Sequence, residues 1–269
     1  MTLHDKYNSL QEYTASLDSV AVAFSGGVDS TLLLKVAHNV LGDRALAITL
    51  SSPLFPHREL SDAHTFCLNN SITHIVCEVD ELSINGFKDN PTNRCYLCKH
   101  SLFTQMLAIA REHNLSHVIE GSNMDDLGDY RPGLQAIREL GIKSPLREAQ
   151  LTKAEIRQLS RELGLPTWEK PSYACLASRF VYGDTITREK LLMVERAEGF
   201  LQDLGFKQMR VRIHGTLARI ELLPQDFHRI LQEDLRTKIY DALKSYGFSY
   251  ISLDLKGYRT GSMNETLQH

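Results

Sequence analysis

Three groups of residues in this 269-residue chain have types and spacings suited to chemistry. The first is Arg94-Cys95-Tyr-Leu-Cys98-Lys99, where two cysteines three apart can turn two thiolates toward one metal or cluster, or close a redox disulfide. Arg94 and Lys99 beside them favour thiolates. A thioredoxin-like pair would open the helix after the first strand of its fold, and this one lies much further along. A structural zinc site would want a second matched pair, and the sequence has none. The other cysteine in a polar, loop-like setting is Cys175, in Pro171-Ser-Tyr-Ala-Cys-Leu-Ala-Ser-Arg179. Three thiolates suit a [4Fe–4S] cluster with one iron left without a protein ligand. They suit equally a catalytic zinc with an open position, and a pair plus an unrelated cysteine is the plainer alternative. Cys67 falls on an expected helix and Cys77 on an expected strand, and both read as small buried hydrophobes.

The second group is Ser25-Gly26-Gly27-Val28-Asp29-Ser30, which joins the apolar run Val20–Phe24 to a helix-spaced face begun by Leu32, Leu33 and Val36. In a strand–turn–helix of this kind, backbone N–H groups converge on an anion and the helix dipole adds positive potential. Gly26 and Gly27 permit close backbone approach, and Ser25, Ser30 and Thr31 add hydroxyl donors. The turn lacks the Gly-Lys-Ser/Thr ending of a Walker A loop and is not Gly-x-Gly-x-x-Gly. The third group is Arg210, Arg212 and His214, which alternate along an expected strand and so share one face. Two guanidiniums on one face can grip a phosphate, with Ser178 and Arg179 nearby, whereas a solvated charged face is the simpler alternative. Glu195, Glu198 and Glu221 could ligate metal or transfer protons, but each taken singly reads as solvated surface.

The elements that must position these groups follow from periodicity. A leading helix carries Tyr7, Leu10, Tyr13 and Leu17. Strands are expected at 20–24, 45–50, 75–79 and 118–120, with helices at 31–41, 58–68 and 96–113 between them and a polar loop over 80–94. The βαβαβαβ rhythm predicts an α/β fold, a doubly wound parallel sheet with right-handed crossovers and ligands beyond the strands' carboxyl ends. Ser25–Ser30, Ser51-Ser52 and Gly121-Ser-Asn-Met-Asp-Asp126 all fall at such ends. Thr152-Lys-Ala-Glu155 opens a further helix as a capping box, ending at Gly164-Leu-Pro166. From about residue 187 the pattern becomes helix, two strands, two short helices and a strand, predicting a small C-terminal α+β domain. The expected boundaries are 1–183 and 184–269, and the polar tail from Gly257 reads as a loop or frayed end.

Composition sets outer limits. Apolar content of 42% and charge of 23% are ordinary for a globular chain, and a net charge of −3 supplies no global attraction for nucleic acid or membrane. No signal segment or membrane-length apolar run is seen, so the cytoplasm is the expected compartment, with no membrane partner. Five cysteines in a chain this long do not make a secreted disulfide framework.

The Ser-Gly-Gly-Val-Asp-Ser turn resembles the PP-loop of the ATP pyrophosphatase superfamily, whose members split ATP between the α and β phosphates. That loop is shared with GMP synthetase, NAD synthetase, argininosuccinate synthetase and tRNA thiolases. Gly121-Ser-Asn-x-Asp-Asp126, Ser144-Pro-Leu-Arg147, Leu151-Thr-Lys-x-Glu-Ile-Arg157, Cys175-Leu-Ala-Ser-Arg179 and Gly257-Tyr-Arg-x-Gly-Ser-Met-Asn264 extend the likeness over nearly the whole chain. Together they resemble the LarE family, ATP-dependent sulfur transferases of nickel-pincer nucleotide biosynthesis. The resemblance implies ATP with Mg²⁺ as cofactor. It also implies adenylation of a carboxylate of pyridinium-3,5-biscarboxylic acid mononucleotide and displacement of AMP by a sulfur nucleophile drawn from sulfide or another donor. It implies that Ser25, Gly26, Gly27, Val28, Asp29 and Ser30 hold ATP phosphates, that Ala23 and Ser51 contact the adenosine, and that Gly121 and Asp125 line the same cleft. Arg210 and Arg212, with Ser178 and Arg179, would hold the nucleotide substrate. In one style of the family the cysteine matching Cys175 surrenders its own sulfur. In the other a CxxC pair joins it to bind a [4Fe–4S] cluster, and with Cys95 and Cys98 this chain resembles the second. A homo-oligomer is expected. The enzymatic rival is a PP-loop tRNA thiolase, but the net charge and small second domain speak against a nucleic-acid partner. A rival of another class is a nucleotide sensor that performs no catalysis.

Overall fold

The computed structural model describes residues 1–128, 132–171, 174–259 and 261–267. The chain forms two compact units, Met1–Asp80 with Asn93–Tyr173, and Glu81–Thr92 with Ala174–His269. The sequence reading set the change at 183/184 and kept 81–92 in the first part.

The first unit is built on four parallel strands, β1 (Val20–Ala23), β2 (Ala45–Ser51), β3 (His74–Glu78) and β4 (His117–Ile119), in the order β3-β2-β1-β4. Its helices are α1 (Leu3–Ser16), α2 (Val28–Leu41), α3 (His57–Asn69), α4 (Arg94–Glu112), α5 (Gly133–Glu139), α6 (Pro145–Glu148) and α7 (Lys153–Glu162). Side chains of β1 alternate between two cores, as a strand buried on both faces requires. Val20 and Val22 pack with Leu32, Leu33, Phe66 and Ile156, from α2, α3 and α7. Ala21 packs with Phe103, Met106 and Ile137, from α4 and α5. The expected doubly wound α/β sheet is therefore the observed one. Strand succession reverses between β1 and β4, and that switch is where such sheets open a crevice for ligands.

In the second unit α8 (Arg188–Asp203) lies against a three-stranded sheet of β5 (Met209–His214), β6 (Leu217–Leu222) and β7 (Tyr250–Leu253). β5 and β6 are antiparallel and β6 and β7 parallel, with α9 (Phe227–Ile230) and α10 (Glu233–Ser245) in the crossover. Residues 81–92 join this unit through main-chain bonds, Gly183 N to Asn90 O at 3.0 Å and Ile186 N to Lys88 O at 2.9 Å. The tail runs as a loop over 257–259, as expected, and over the described residues it is not frayed. It forms a 3₁₀ turn, Ser262–Leu267, with Ser262 and Met263 buried. Among the described residues no helix is long and apolar enough to cross a membrane.

Candidate active site

In the first unit the chain leaves β1 through Phe24 and turns at Gly26, whose φ of +69° is left-handed. A side chain there would be strained, and its Cβ would stand 3.4 Å from Glu59 O and 3.5 Å from Ala63 Cβ, so the turn rests on α3. Gly27 is the N-cap of α2 and offers no side-chain oxygen to the first-turn amides. That leaves the helix's positive end open to an outside anion. Ser25 and Ser30 brace the turn, with Oγ atoms 3.1 Å apart and Ser30 Oγ donating to Gly27 O at 3.2 Å.

The loop after β4 closes against this turn. A Cβ on Gly121 would lie 3.2 Å from both Asp29 Cβ and Ser30 N, tighter than ordinary contact, so glycine lets the two segments meet closely. Asn123 Nδ2 donates to Asp29 Oδ1 at 3.2 Å, and Lys153 Nζ forms an ion pair with Asp29 Oδ2. Lys153 is fixed in turn, because its amide donates to Asp125 Oδ2 at 2.8 Å and Thr152 before it caps α7 in the expected capping box. Asp125 N bonds Asn123 Oδ1 at 2.9 Å. Ser25–Ser30, Gly121 and Asp125 are therefore brought together. Ala23 ends β1, and Ser51 ends the adjacent β2. Lys153 and Asn123 were not singled out from the sequence, although both lie inside motifs that were, Leu-Thr-Lys and Gly-Ser-Asn.

Cys95 and Cys98 lie on the first turns of α4, the first exposed and the second half-buried. Gly133 of α5 approaches that turn, and a Cβ there would meet Lys99 Cδ at 2.7 Å and Cys95 O at 3.4 Å. Cys67 is buried, which pushes its thiol up to about 12, in keeping with a small core residue. Cys77, expected to be buried, is only half so. Among the described residues, no three or more His, Cys, Asp or Glu are grouped to hold a metal ion.

In the second unit, Cys175 caps the 3₁₀ turn Leu176–Arg179. Arg179 is 1% exposed and returns its guanidinium into that turn. Nη1 donates to Ala174 O at 2.6 Å, Cys175 O at 3.0 Å and Ser178 Oγ at 2.9 Å. Nε and Nη2 grip Glu198 of α8 at 2.9 and 2.7 Å. Burial opposes the Arg179 charge, but Glu198 outweighs it and the guanidinium titrates above its ordinary value. Burial would likewise raise Glu198, and Arg179 holds it below the usual carboxylate range.

Arg210 and Arg212 share a face of β5, as alternation requires, but that face is buried and not solvated. Arg212 donates to Glu221 Oε2 through Nε at 3.0 Å and Nη2 at 2.8 Å, and to Ser178 O through Nη1 at 3.0 Å. Ser262 Oγ from the tail receives Arg212 Nη2 at 2.9 Å and donates to Glu221 Oε1 at 2.8 Å. Glu198 and Glu221, read as surface, are thus buried counter-ions, while Glu195 is half-buried. The Tyr258 ring lies 5.2 Å from the Arg210 guanidinium carbon. Burial and then the charge of Arg179 lower the Arg210 pKa, with Glu198 opposing. His214, half-buried at the strand end, is lowered by burial and by Arg219.

A parallel sheet with a bare-capped glycine turn at its switch point is consistent with a PP-loop ATP pyrophosphatase domain. Comparison with known proteins agrees, since residues 3–102 match the family model described as NAD synthase. The chain is 38% identical over 267 residues to the pyridinium-3,5-bisthiocarboxylic acid mononucleotide synthase of Lactiplantibacillus plantarum, covering 99% of this chain and 96% of that one. It is 44% identical to an uncharacterized protein of Synechocystis, covering 98% of this chain and 99% of that one. An uncharacterized protein of Methanocaldococcus jannaschii is 30% identical, over 90% and 91% of the two chains. The chain belongs to the LarE family of PP-loop enzymes.

Proposed function

We propose that this chain is an ATP-dependent sulfur transferase acting on pyridinium-3,5-biscarboxylic acid mononucleotide. The observation that carries the reading is the buried Arg210–Arg212 face beside the Cys175 turn, in a chain whose other unit bears a PP-loop. A mononucleotide brings one phosphate dianion, and burial lets guanidiniums hold it without competition from water. In the first unit, the Ser25–Ser30 amides and hydroxyls cradle ATP phosphates, with Ala23 and Ser51 at the adenosine and Gly121 and Asp125 walling the cleft. Asp29 suits a hard cation, since its carboxylate is partly open and held by a displaceable lysine and an amide. Mg²⁺ there would neutralise charge as it shifts along the phosphates.

In the reaction, a substrate carboxylate oxygen attacks the α phosphorus and pyrophosphate departs. Sulfur then attacks the acyl carbon and AMP leaves with the bonding pair. Lys153 and the α2 N-terminus stabilise charge on the departing pyrophosphate. Cys95 and Cys98, thiols on neighbouring turns of one helix, suit two thiolate positions of a [4Fe–4S] cluster, with Cys175 as the third. When bound, the cluster supplies an iron without a protein ligand for the sulfur to be transferred.

The test is pyrophosphate release by anaerobically purified protein, expected to require the pyridinium mononucleotide. Iron and sulfide near four each per chain support the cluster, whereas zinc or no metal rejects it. Loss of one sulfur from Cys175 after turnover would instead mark a sacrificial cysteine. Release stimulated by bulk tRNA would favour a thiolase.

A further inference from the structure

We propose that Arg179 is a positioning residue for Cys175, fixing the turn that carries this thiol against strand β5, and is not a contact to the substrate phosphate. Sequence proximity grouped Arg179 with the phosphate-binding arginines, but its hydrogen bonds serve the turn. Nη1 binds the carbonyls of Ala174 and Cys175 and the Ser178 hydroxyl. Its other edge is spent bidentately on Glu198. Glu198 Oε1 also accepts the Val211 amide at 2.9 Å, at the residue between Arg210 and Arg212. The path from Cys175 O through Arg179 and Glu198 to Val211 N is thus a continuous series of bonds, part-buried at Cys175 and buried from Arg179 onward. A second series runs from Ser178 O to Arg212 Nη1. The turn's main-chain bonds include Ser178 N to Cys175 O at 3.0 Å and Phe180 N to Ala177 O at 3.3 Å. The side-chain bonds of Arg179 and Arg212 add to these the contacts that fix how the turn sits against β5.

The experiment compares the parent with Arg179→Lys, Glu198→Gln and the double variant Arg179→Met/Glu198→Leu, as full-length protein. Amide hydrogen exchange is followed over residues 174–180. Lysine keeps the charge but cannot span Glu198 and two carbonyls, so exchange there should quicken by about tenfold or more while α2 and the β1–β4 sheet stay protected. The double variant leaves no lone buried charge and should fold. It should nevertheless keep the fast local exchange, because the carbonyl bonds are gone. Should a single variant not fold, the double variant supplies the same readout.

The rate arm rests on the sulfur-transfer reading. kcat should fall by about 100-fold, as expected for a misplaced reacting group, with KM for the mononucleotide little changed. Unchanged exchange over 174–180 in Arg179→Lys would overturn the proposal. So would a rise in KM matching that of Arg210→Ala, or recovery of both protection and rate in the double variant. If the parent transfers no sulfur, the functional reading fails while the exchange result still decides the positioning role.

Discussion

Replacing Lys153 with methionine separates a phosphate-binding lysine from a structural strut. The side chain keeps most of its length and loses its charge. In the ion pair with Asp29 the two side chains are 28% and 23% exposed, so solvent screens the attraction. The pair then contributes about 1 kcal/mol or less to stability. For a domain of this size that corresponds to a fall in Tm of roughly 2–4 °C. Asp29 retains the Asn123 amide and its favourable place in the first turn of α2, which limits the loss further. ATP binding should respond far more. A hydrogen bond to a charged group contributes about 1.5–3 kcal/mol, equivalent to a Kd weakened roughly 10- to 100-fold. Calorimetric titration with ATP and Mg²⁺, beside a thermal melt of the same preparation, measures both. A Tm lowered by 10 °C or more with ATP affinity unchanged would refute the reasoning and make Lys153 a strut between α7 and the PP-loop.

Three further outcomes follow from the packing. Gly121→Ala sets a methyl 3.2 Å from Asp29 Cβ and Ser30 N and should weaken ATP binding by about tenfold. Gly199→Ala meets nothing within 4 Å on α8 and should stabilise the protein by about 0.5–1 kcal/mol in urea denaturation. Glu221→Leu strips Arg212 and Arg219 of their shared buried carboxylate and should cost about 3–5 kcal/mol by the same measurement. His74 donates from Nε2 to Thr49 Oγ1, and its pKa is lowered by burial and then by His64. Below its ordinary value of 6.5 the unfolded chain therefore takes up a proton that the native chain refuses, and stability falls with pH through that window. The urea midpoint should drop from pH 7 toward 5 in the parent, and less in His74→Asn.

The sheet of the first unit was legible because its strands are short apolar runs between turn residues, a pattern set by burial on both faces. α5 and α6 were not, since seven and four residues carry too little periodicity to stand out beside Pro132, Gly141 and Pro145. The PP-loop was readable from local residues because its function resides in the backbone of one continuous turn. Lys153 was harder, as its role exists only once α7 lies against α2, 124 residues away in sequence. The tail is the sharpest case. Its glycines and polar residues have the composition of a frayed end, yet Ser262 is buried because Arg212 and Glu221 supply partners for its hydroxyl. Composition records a residue's cost of burial and not the partners that offset it.

The same principle explains how three arginines can be buried together. An isolated guanidinium in the interior would cost several kcal/mol, and three in one cluster would repel one another as well. Glu198 and Glu221 remove most of that penalty: Glu198 grips Arg179 with both oxygens and takes the Val211 amide, while one Glu221 oxygen takes two Arg212 nitrogens and the other takes Arg219 and Ser262. At Arg210 burial and then the charge of Arg179 lower the pKa, with Glu198 opposing, so the charged form there stays disfavoured. A phosphate placed against Arg210 relieves both effects at once. Arg210→Ala should therefore raise KM for the mononucleotide, measured by pyrophosphate release at varied substrate. An unchanged KM in Arg210→Ala would show that the arginine holds the fold and not the ligand.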